Sequence, residues 1–231
     1  AAAVLAANEA LELGFTREEL VKFAAEGEAA VAGAPHADNV SASLLGGLVF
    51  ALDPREGRFL RFEVPPELRV VVLLVEPPDA REKTRKAREA LPKAVPLATC
   101  VAWLSSAMEL AASAARSDWR AFASAVRPDP VVEAAREALY PHVPAVRRAA
   151  IEAGALGCAL AGAGPSVLAL TLEGAGEVAE AMQQASARAG FRPESSLHAS
   201  TTLAPASSTS RANSAGSLKL ISSAALGELN G

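Results

Sequence analysis

Apolar residues recur at helical spacing from the first position, where Ala1-Ala2-Ala3-Val4-Leu5-Ala6-Ala7-Asn8-Glu9-Ala10-Leu11 reads as a helix that Gly14 should stop. Thr16-x-x-Glu19 is a capping box. It opens a second helix predicted to run to about Ala32, with Leu20, Phe23, Ala24 and Val31 on one face and Gly33 and Pro35 ending it. Residues 33–39 then read as a loop, and Asn39 is placed to cap a short helix ahead of Gly46-Gly47. After the glycines the pattern changes: Leu48–Leu52 is an apolar segment read as a strand, and Arg58–Val64 is a second short strand.

Pro65-Pro66 marks a boundary. Beyond it Arg69–Val75 is continuously apolar and β-branched, as a buried strand would be. Pro77-Pro78 breaks the chain before a charged helix around Arg81–Ala90, and helices are predicted at about Leu97–Ala115, Asp118–Val126, Val131–Leu139 and Pro144–Ala153. The last starts on a proline, whose missing N–H is not needed there. Gly157–Ala161 and Val167–Leu172 read as strands flanking a glycine turn, and Ala175–Ala189 as a helix closed by Gly190. From Ser195 onward Ser, Thr and Ala dominate; Leu197–Leu203 and Ser217–Ser222 are strand-like and Pro205–Ser214 reads as linker. This order predicts an α+β fold with helices on one face of an antiparallel sheet.

The length of 231 residues suits one large domain or two small ones. Alanine, with 54 copies, supplies nearly half of the 51% hydrophobic total while aromatics supply 4%, so the core should be built mainly of helix. Net charge is −4, from 26 acidic and 22 basic residues without a block of like charge, which argues against a nucleic-acid-binding surface but not against a local anion pocket. Cys100 and Cys158 lie far apart and only His36, His142 and His198 are present, so neither a disulfide scaffold nor a structural zinc site fits. No apolar run approaches the ~18 residues of a membrane span, and the expectation is a soluble, intracellular protein. No capping residue precedes the first helix, and Ala1 is read as a cut through a larger domain.

Four clusters are candidates for chemistry. Glu26 and Glu28 lie at a helix end that favours cations, so they either meet a bound cation or are solvated at slight cost. Pro35-His36-Ala37-Asp38-Asn39 is a polar loop in which capping explains one residue and a ligand would explain the others. Thr84, Arg85 and Arg88 follow a strand and a proline break; an arginine there either grips a carboxylate by paired hydrogen bonds or faces water. Arg136 admits the same two readings, with an i,i+3 pair to Glu133 as the simpler one. Finally, Gly162-Ala163-Gly164-Pro165-Ser166 forms a tight turn followed by a strand, unlike a phosphate loop that leads into a helix.

In this order the pieces resemble the homoserine kinases of the galactokinase, homoserine kinase, mevalonate kinase and phosphomevalonate kinase (GHMP) superfamily. The resemblance covers roughly residues 1–204 and rests on H-A-D-N-V at 36–40, L-L-G-G-L at 44–48, R-E-A-L-P at 88–92 and G-A-G-P-S at 162–166. It implies a two-domain fold: residues 1–66 as the remnant of a nucleotide-binding domain, 67–204 as a ferredoxin-like carboxy-terminal domain, and 205–231 as a tail with a closing strand. A phosphate loop of the form P-x-x-x-G-L-G-S-S-A, which the family places before an alanine-rich helix like Ala1–Leu13, is not among these residues, so the polypeptide as given is expected to be inactive.

The implied reaction is ATP-dependent phosphorylation of L-homoserine to O-phospho-L-homoserine, for threonine synthesis. By resemblance, Glu28 is the magnesium-side carboxylate and Thr84 a hydroxyl near the phosphates. Gly162, Gly164 and Ser166 belong to the motif packed under the nucleotide loop. His36, Asn39, Arg88 and Arg136 hold the substrate, with the arginines on its carboxylate, and Asp38 accepts the proton or Asn39 orients the hydroxyl. ATP and Mg²⁺ are the implied cofactors and homoserine the small-molecule partner. No nucleic acid or membrane is implied, a homodimer is left open, and the compartment would be cytoplasm in a bacterium or plastid stroma in a plant or alga. One departure is Pro128-Asp129-Pro130-Val131-Val132-Glu133-Ala134-Ala135, where the family commonly has S-D-x-V-x-E-P. The competing readings are another kinase of the superfamily, such as one acting on mevalonate, and a non-catalytic remnant.

Overall fold

The computed structural model describes residues 1–32, 37–54, 56–76 and 83–197. Helix α1 (Ala2–Ala10) ends earlier than Gly14. The cause is Asn8, whose Oδ1 accepts from the Phe15 N–H and whose Nδ2 donates to the Phe15 carbonyl, both at 3.1 Å, folding the chain back. Helix α2 (Arg17–Ala32) opens on the predicted box: the Thr16 N–H donates to Glu19 Oε2 at 2.8 Å and the Glu19 N–H to Thr16 Oγ1 at 3.3 Å. Leu20 and Ala24 are buried as expected. Phe23 is not; it stays 48% exposed and meets the ring of Phe15 edge-on. Helix α3 (Ala37–Leu45) starts before Asn39, which is therefore inside the helix and does not cap it. Ala37 belongs to the same buried face as Val40, Ser41, Leu44 and Leu45, so burial extends the helix toward its start.

Strands β1 (Leu48–Asp53) and β2 (Arg58–Phe62) form an antiparallel hairpin with Leu48 opposite Phe62. The second sheet contains β3 (Arg69–Val75), β4 (Gly157–Leu160), β5 (Val167–Thr171) and β6 (Pro193–Leu197), in the spatial order β4-β5-β3-β6 with every neighbour antiparallel. Between β3 and β4 lie α4 (Lys83–Glu89), α5 (Leu97–Ala115), α6 (Trp119–Ala125), α7 (Val132–Arg136), a 3₁₀ turn (Glu137–Leu139) and α8 (Val143–Glu152); α9 (Ala175–Arg188) joins β5 to β6. This is the split βαβ arrangement of the ferredoxin-like fold.

Helices cover both faces of this sheet, rather than one. Alternate residues of a strand point to opposite faces, and β3 and β5 are apolar at both parities. Val71, Leu73, Val75, Val167 and Ala169 pack with Val143, Val146 and Ala150 of α8 and Val178 and Met182 of α9. Val70, Leu168 and Leu170 face a second cluster containing Ala114 of α5, Phe122 and Ala123 of α6, and Phe50 and Phe62 of the hairpin. A third cluster joins α2 to α3 through Leu20, Val21, Val40 and Leu44.

The closing strand also falls earlier than the expected Leu197–Leu203. Pairing with the open edge of β3 is a main-chain matter and needs no apolar run, and a proline is tolerated as the first residue of an edge strand. The rest of that expected strand, residues 198–203, lies outside the described residues, as do Pro205–Ser214 and Ser217–Ser222. A second correction concerns α5: its 19 residues include one charge, Glu109, and by length and composition alone it is long and apolar enough to cross a membrane. Its last turns nevertheless pack into the sheet, through Leu110 and Ala114.

Candidate functional site

The turn between β4 and β5 is held by main-chain hydrogen bonds at both ends. The Ala161 N–H donates to the Ser166 carbonyl at 2.8 Å and the Gly164 N–H to the Ala161 carbonyl at 3.0 Å. Gly162 and Gly164 take positive φ values of 57° and 79°, and the Gly164–Pro165 peptide is cis. Gly164 must be glycine for a second reason: a Cβ there would stand 2.4 Å from the Tyr140 ring.

Residues 133–142 meet this turn position by position. Glu133 Oε2 accepts from the Leu160 N–H at 3.1 Å, Arg136 Nη1 donates to the Gly162 carbonyl at 3.0 Å, the Tyr140 ring covers Gly164, and His142 Nε2 bonds the Pro165 carbonyl at 2.9 Å. A carbonyl only accepts, so the His142 proton is on Nε2, leaving Nδ1 buried without a partner. Burial holds the His142 imidazole below the usual histidine range, opposed by the bond to Pro165. Burial likewise raises the Tyr140 phenol, opposed by the nearby Arg136 charge. On the strand side, the Val75 N–H donates to Ser166 Oγ at 3.4 Å.

Arg136 ties three parts of the fold together. Its Nε donates to the carbonyl of Ala87 in α4 at 3.1 Å, the residue beside Arg88, while Nη1 reaches Gly162. Among the described residues its partners are two carbonyls and no carboxylate, so the positive charge is oriented but not neutralised, and Nη2 makes no hydrogen bond. The pair with Glu133 expected from i,i+3 spacing does not form. Glu133, only 7% exposed, turns inward and pairs with Arg147 of α8. A cavity of about 150 Å³ lies here, lined by Asp129, Glu133, Arg136, Tyr140, Arg147 and Leu160 among others. Asp129 also anchors the segment: its Oδ1 accepts from the N–H groups of Val131 and Val132 at 2.8 and 2.6 Å, the role of a helix cap.

The other predicted site residues are placed less closely. Arg88 is exposed on α4. Asp38 and Asn39 are exposed in the first turn of α3, their side chains without a hydrogen bond among the described residues, while their carbonyls accept from Ser41 and Ser43. Glu28 is half-buried near the end of α2, where the last turn holds no basic residue. Among the described residues no hydrogen bond joins Asp38, Asn39 or Glu28 to Arg136, and no group of three or more His, Cys, Asp or Glu could hold a metal ion. Thr84 lies on α4, with its side chain outside the described residues, and His36 lies outside them altogether. Sequence reasoning missed Asp129, Tyr140, His142 and Arg147. A polar residue inside an apolar helix pattern is the signal that could have found Arg147.

Comparison with known proteins places these features in one family. Residues 1–47 match the GHMP kinases N terminal domain, and residues 108–188 match the GHMP kinases C terminal family, together more than half of the chain. Over 179 residues the chain is 45% identical to a homoserine kinase of Pyrobaculum neutrophilum, covering 76% of this chain and 58% of that protein. A homoserine kinase of Thermoplasma volcanium is 40% identical over 168 residues, covering 73% and 53%. The crystal structure of a homoserine kinase from Cytophaga hutchinsonii superimposes with a TM-score of 0.74 at 32% identity, over 81% of this chain and 59% of that one. The chain thus spans under two thirds of the length of these relatives. With both family regions matched in order and the split βαβ sheet in place, the chain belongs to the GHMP kinase family.

Proposed function

We propose that this protein is a homoserine kinase, transferring the γ-phosphoryl group of ATP to the side-chain hydroxyl of L-homoserine. The observation that carries the reading is Arg136: a guanidinium fixed by the Ala87 and Gly162 carbonyls, without a carboxylate partner among the described residues, on the wall of a cavity. Such a group suits the carboxylate of an amino acid. Arg88 follows Ala87 directly, so the second expected arginine belongs to the same corner of the fold. The homoserine kinase names of the relatives support the same substrate.

The remaining roles are carried over from the family resemblance. Asn39 and Asp38, exposed in the first turn of α3, orient the hydroxyl and accept its proton as the oxygen bonds to the γ-phosphorus and the bond to the bridging oxygen breaks. Phosphoryl transfer demands mainly alignment and charge neutralisation, so a strong base is not required. Bound Mg²⁺ would neutralise charge on the phosphates. It takes one or two carboxylates besides phosphate oxygens and water, so Glu28, a half-buried carboxylate near a helix end, fits as its protein ligand. By the family resemblance, Thr84 would stand on the phosphate side, His36 with the substrate, and Gly162, Gly164 and Ser166 in the turn that supports the nucleotide side.

The test is a phosphorylation assay with homoserine, threonine and mevalonate, on protein expressed from the complete coding sequence. Homoserine should be preferred. Equal or better turnover of mevalonate would sink the assignment. Arg136→Ala should raise the homoserine KM by about 10- to 100-fold, the loss of one charge-assisted pair. A change confined to the ATP KM would remove Arg136 from the substrate site.

A further inference from the structure

The pair between Glu133 and Arg147 lines the same cavity as Arg136 and lies one helical turn behind it, without a hydrogen bond to it among the described residues. Helix α7 is five residues long, too short to hold its own shape in water. Its geometry must therefore come from outside. Asp129 supplies one anchor at its start, and Glu133 supplies the other. One carboxylate oxygen of Glu133 accepts from the Leu160 N–H, at the last residue of β4, and the other meets the guanidinium of Arg147 on α8. Leu160 is two residues from Gly162, whose carbonyl receives Arg136. Residues 133 and 136 of the helix thus grip residues 160 and 162 of the turn in parallel.

Glu133 is buried and the Arg147 side chain keeps 23% of its surface exposed; an ion pair that gives up much of its hydration is a poor stabiliser compared with apolar residues of the same volume. Arg147 also keeps its Nε buried without a hydrogen-bond partner. What this arrangement provides is direction: a charged contact fixes the rotation of α7 against β4 in a way that apolar packing would not. We propose that Glu133, locked by Arg147, is a positioning residue that sets the Arg136 guanidinium at the angle needed to grip the substrate carboxylate. The inference rests on the carboxylate role given to Arg136 above.

The test is a double-mutant cycle on the enzyme from the complete coding sequence, reading the homoserine Kd by calorimetry beside the KM for homoserine and for ATP. Glu133→Gln keeps an acceptor for Leu160 but leaves Arg147 charged and unpaired. The neutral double variant Glu133→Gln/Arg147→Met therefore serves if the single variant does not fold. In either, the homoserine Kd and KM should rise about tenfold with the ATP KM unchanged. In an Arg136→Ala background the same substitutions should leave the homoserine Kd unmoved, because Glu133 acts only through Arg136. A folded neutral variant with wild-type homoserine affinity would overturn the proposal, and so would an equal loss with and without Arg136. If Arg136→Ala itself left homoserine binding intact, the functional reading would fail instead.

Discussion

His142 is fully buried between Tyr140 and Phe191, donating from Nε2 to the Pro165 carbonyl while Nδ1 has no partner. Protonating Nδ1 would place an unpaired charge in an apolar site, which is why burial depresses this imidazole. In the unfolded chain the ring titrates near its ordinary pKa of about 6.5. Below that pH the unfolded state binds a proton that the native state refuses, so the unfolded state gains on the native one as pH falls. The stability that the neutral ring contributes is present above about pH 6.5 and is lost progressively toward the lower native pKa. Thermal denaturation should therefore show a Tm that declines from pH 7 to pH 5, and His142→Gln, which keeps a donor at the Nε2 position, should decline less steeply. Equal slopes for the two proteins would mean that other groups dominate. Cys158, pushed up to about 12 by burial, stays a neutral thiol throughout this window and does not contribute.

At the scale of elements, the β4–β5 turn contains two glycines that differ in what surrounds them. Gly162 has φ +57° and open space where a Cβ would go, whereas Gly164 has φ +79° and the Tyr140 ring in that space. Gly162→Ala should cost only the left-handed strain of about 1–2 kcal/mol. Gly164→Ala adds overpacking and should cost about 2–4 kcal/mol, a difference visible in urea midpoints measured side by side. If the two were equally destabilised, the Tyr140 contact would not be the reason for Gly164. The turn itself was legible in the sequence, because G-A-G-P admits few other conformations, and so were most element positions: helices α5, α6 and α9 and strands β3, β4 and β5 match their expected ranges within a residue or two. What the pattern misjudged were ends set by contacts from elsewhere. Asn8 reached forward to Phe15, Ala37 was drawn into a helix by burial, and β6 paired along an edge that rewards main-chain hydrogen bonds.

For the molecule as a whole, the resemblance singled out Arg136 and the glycine turn, but not how they are joined. Period and spacing along a chain report neighbours on one helix, and so suggested Glu133 for Arg136; the tertiary fold gave Glu133 to Arg147 and Arg136 to Gly162 and Ala87. The same logic misread the sheet, because a strand apolar at both parities states that both faces are covered without saying by what. That two-sided cover has a measurable consequence. Strands β3 and β5 each have a hydrogen-bonded neighbour on both sides and an apolar cluster on both faces. Among the described residues the β1–β2 hairpin has one partner per strand and leaves Leu52 and Leu60 exposed. Opening free energies scale with such burial and pairing. Amide hydrogen exchange should therefore be slowest in Val70–Leu74 and Leu168–Leu170 and faster in the hairpin. Hairpin amides protected as strongly as those of β5 would show that the two sheets open together as one cooperative unit, with the contacts of Phe50 and Phe62 strong enough to couple them.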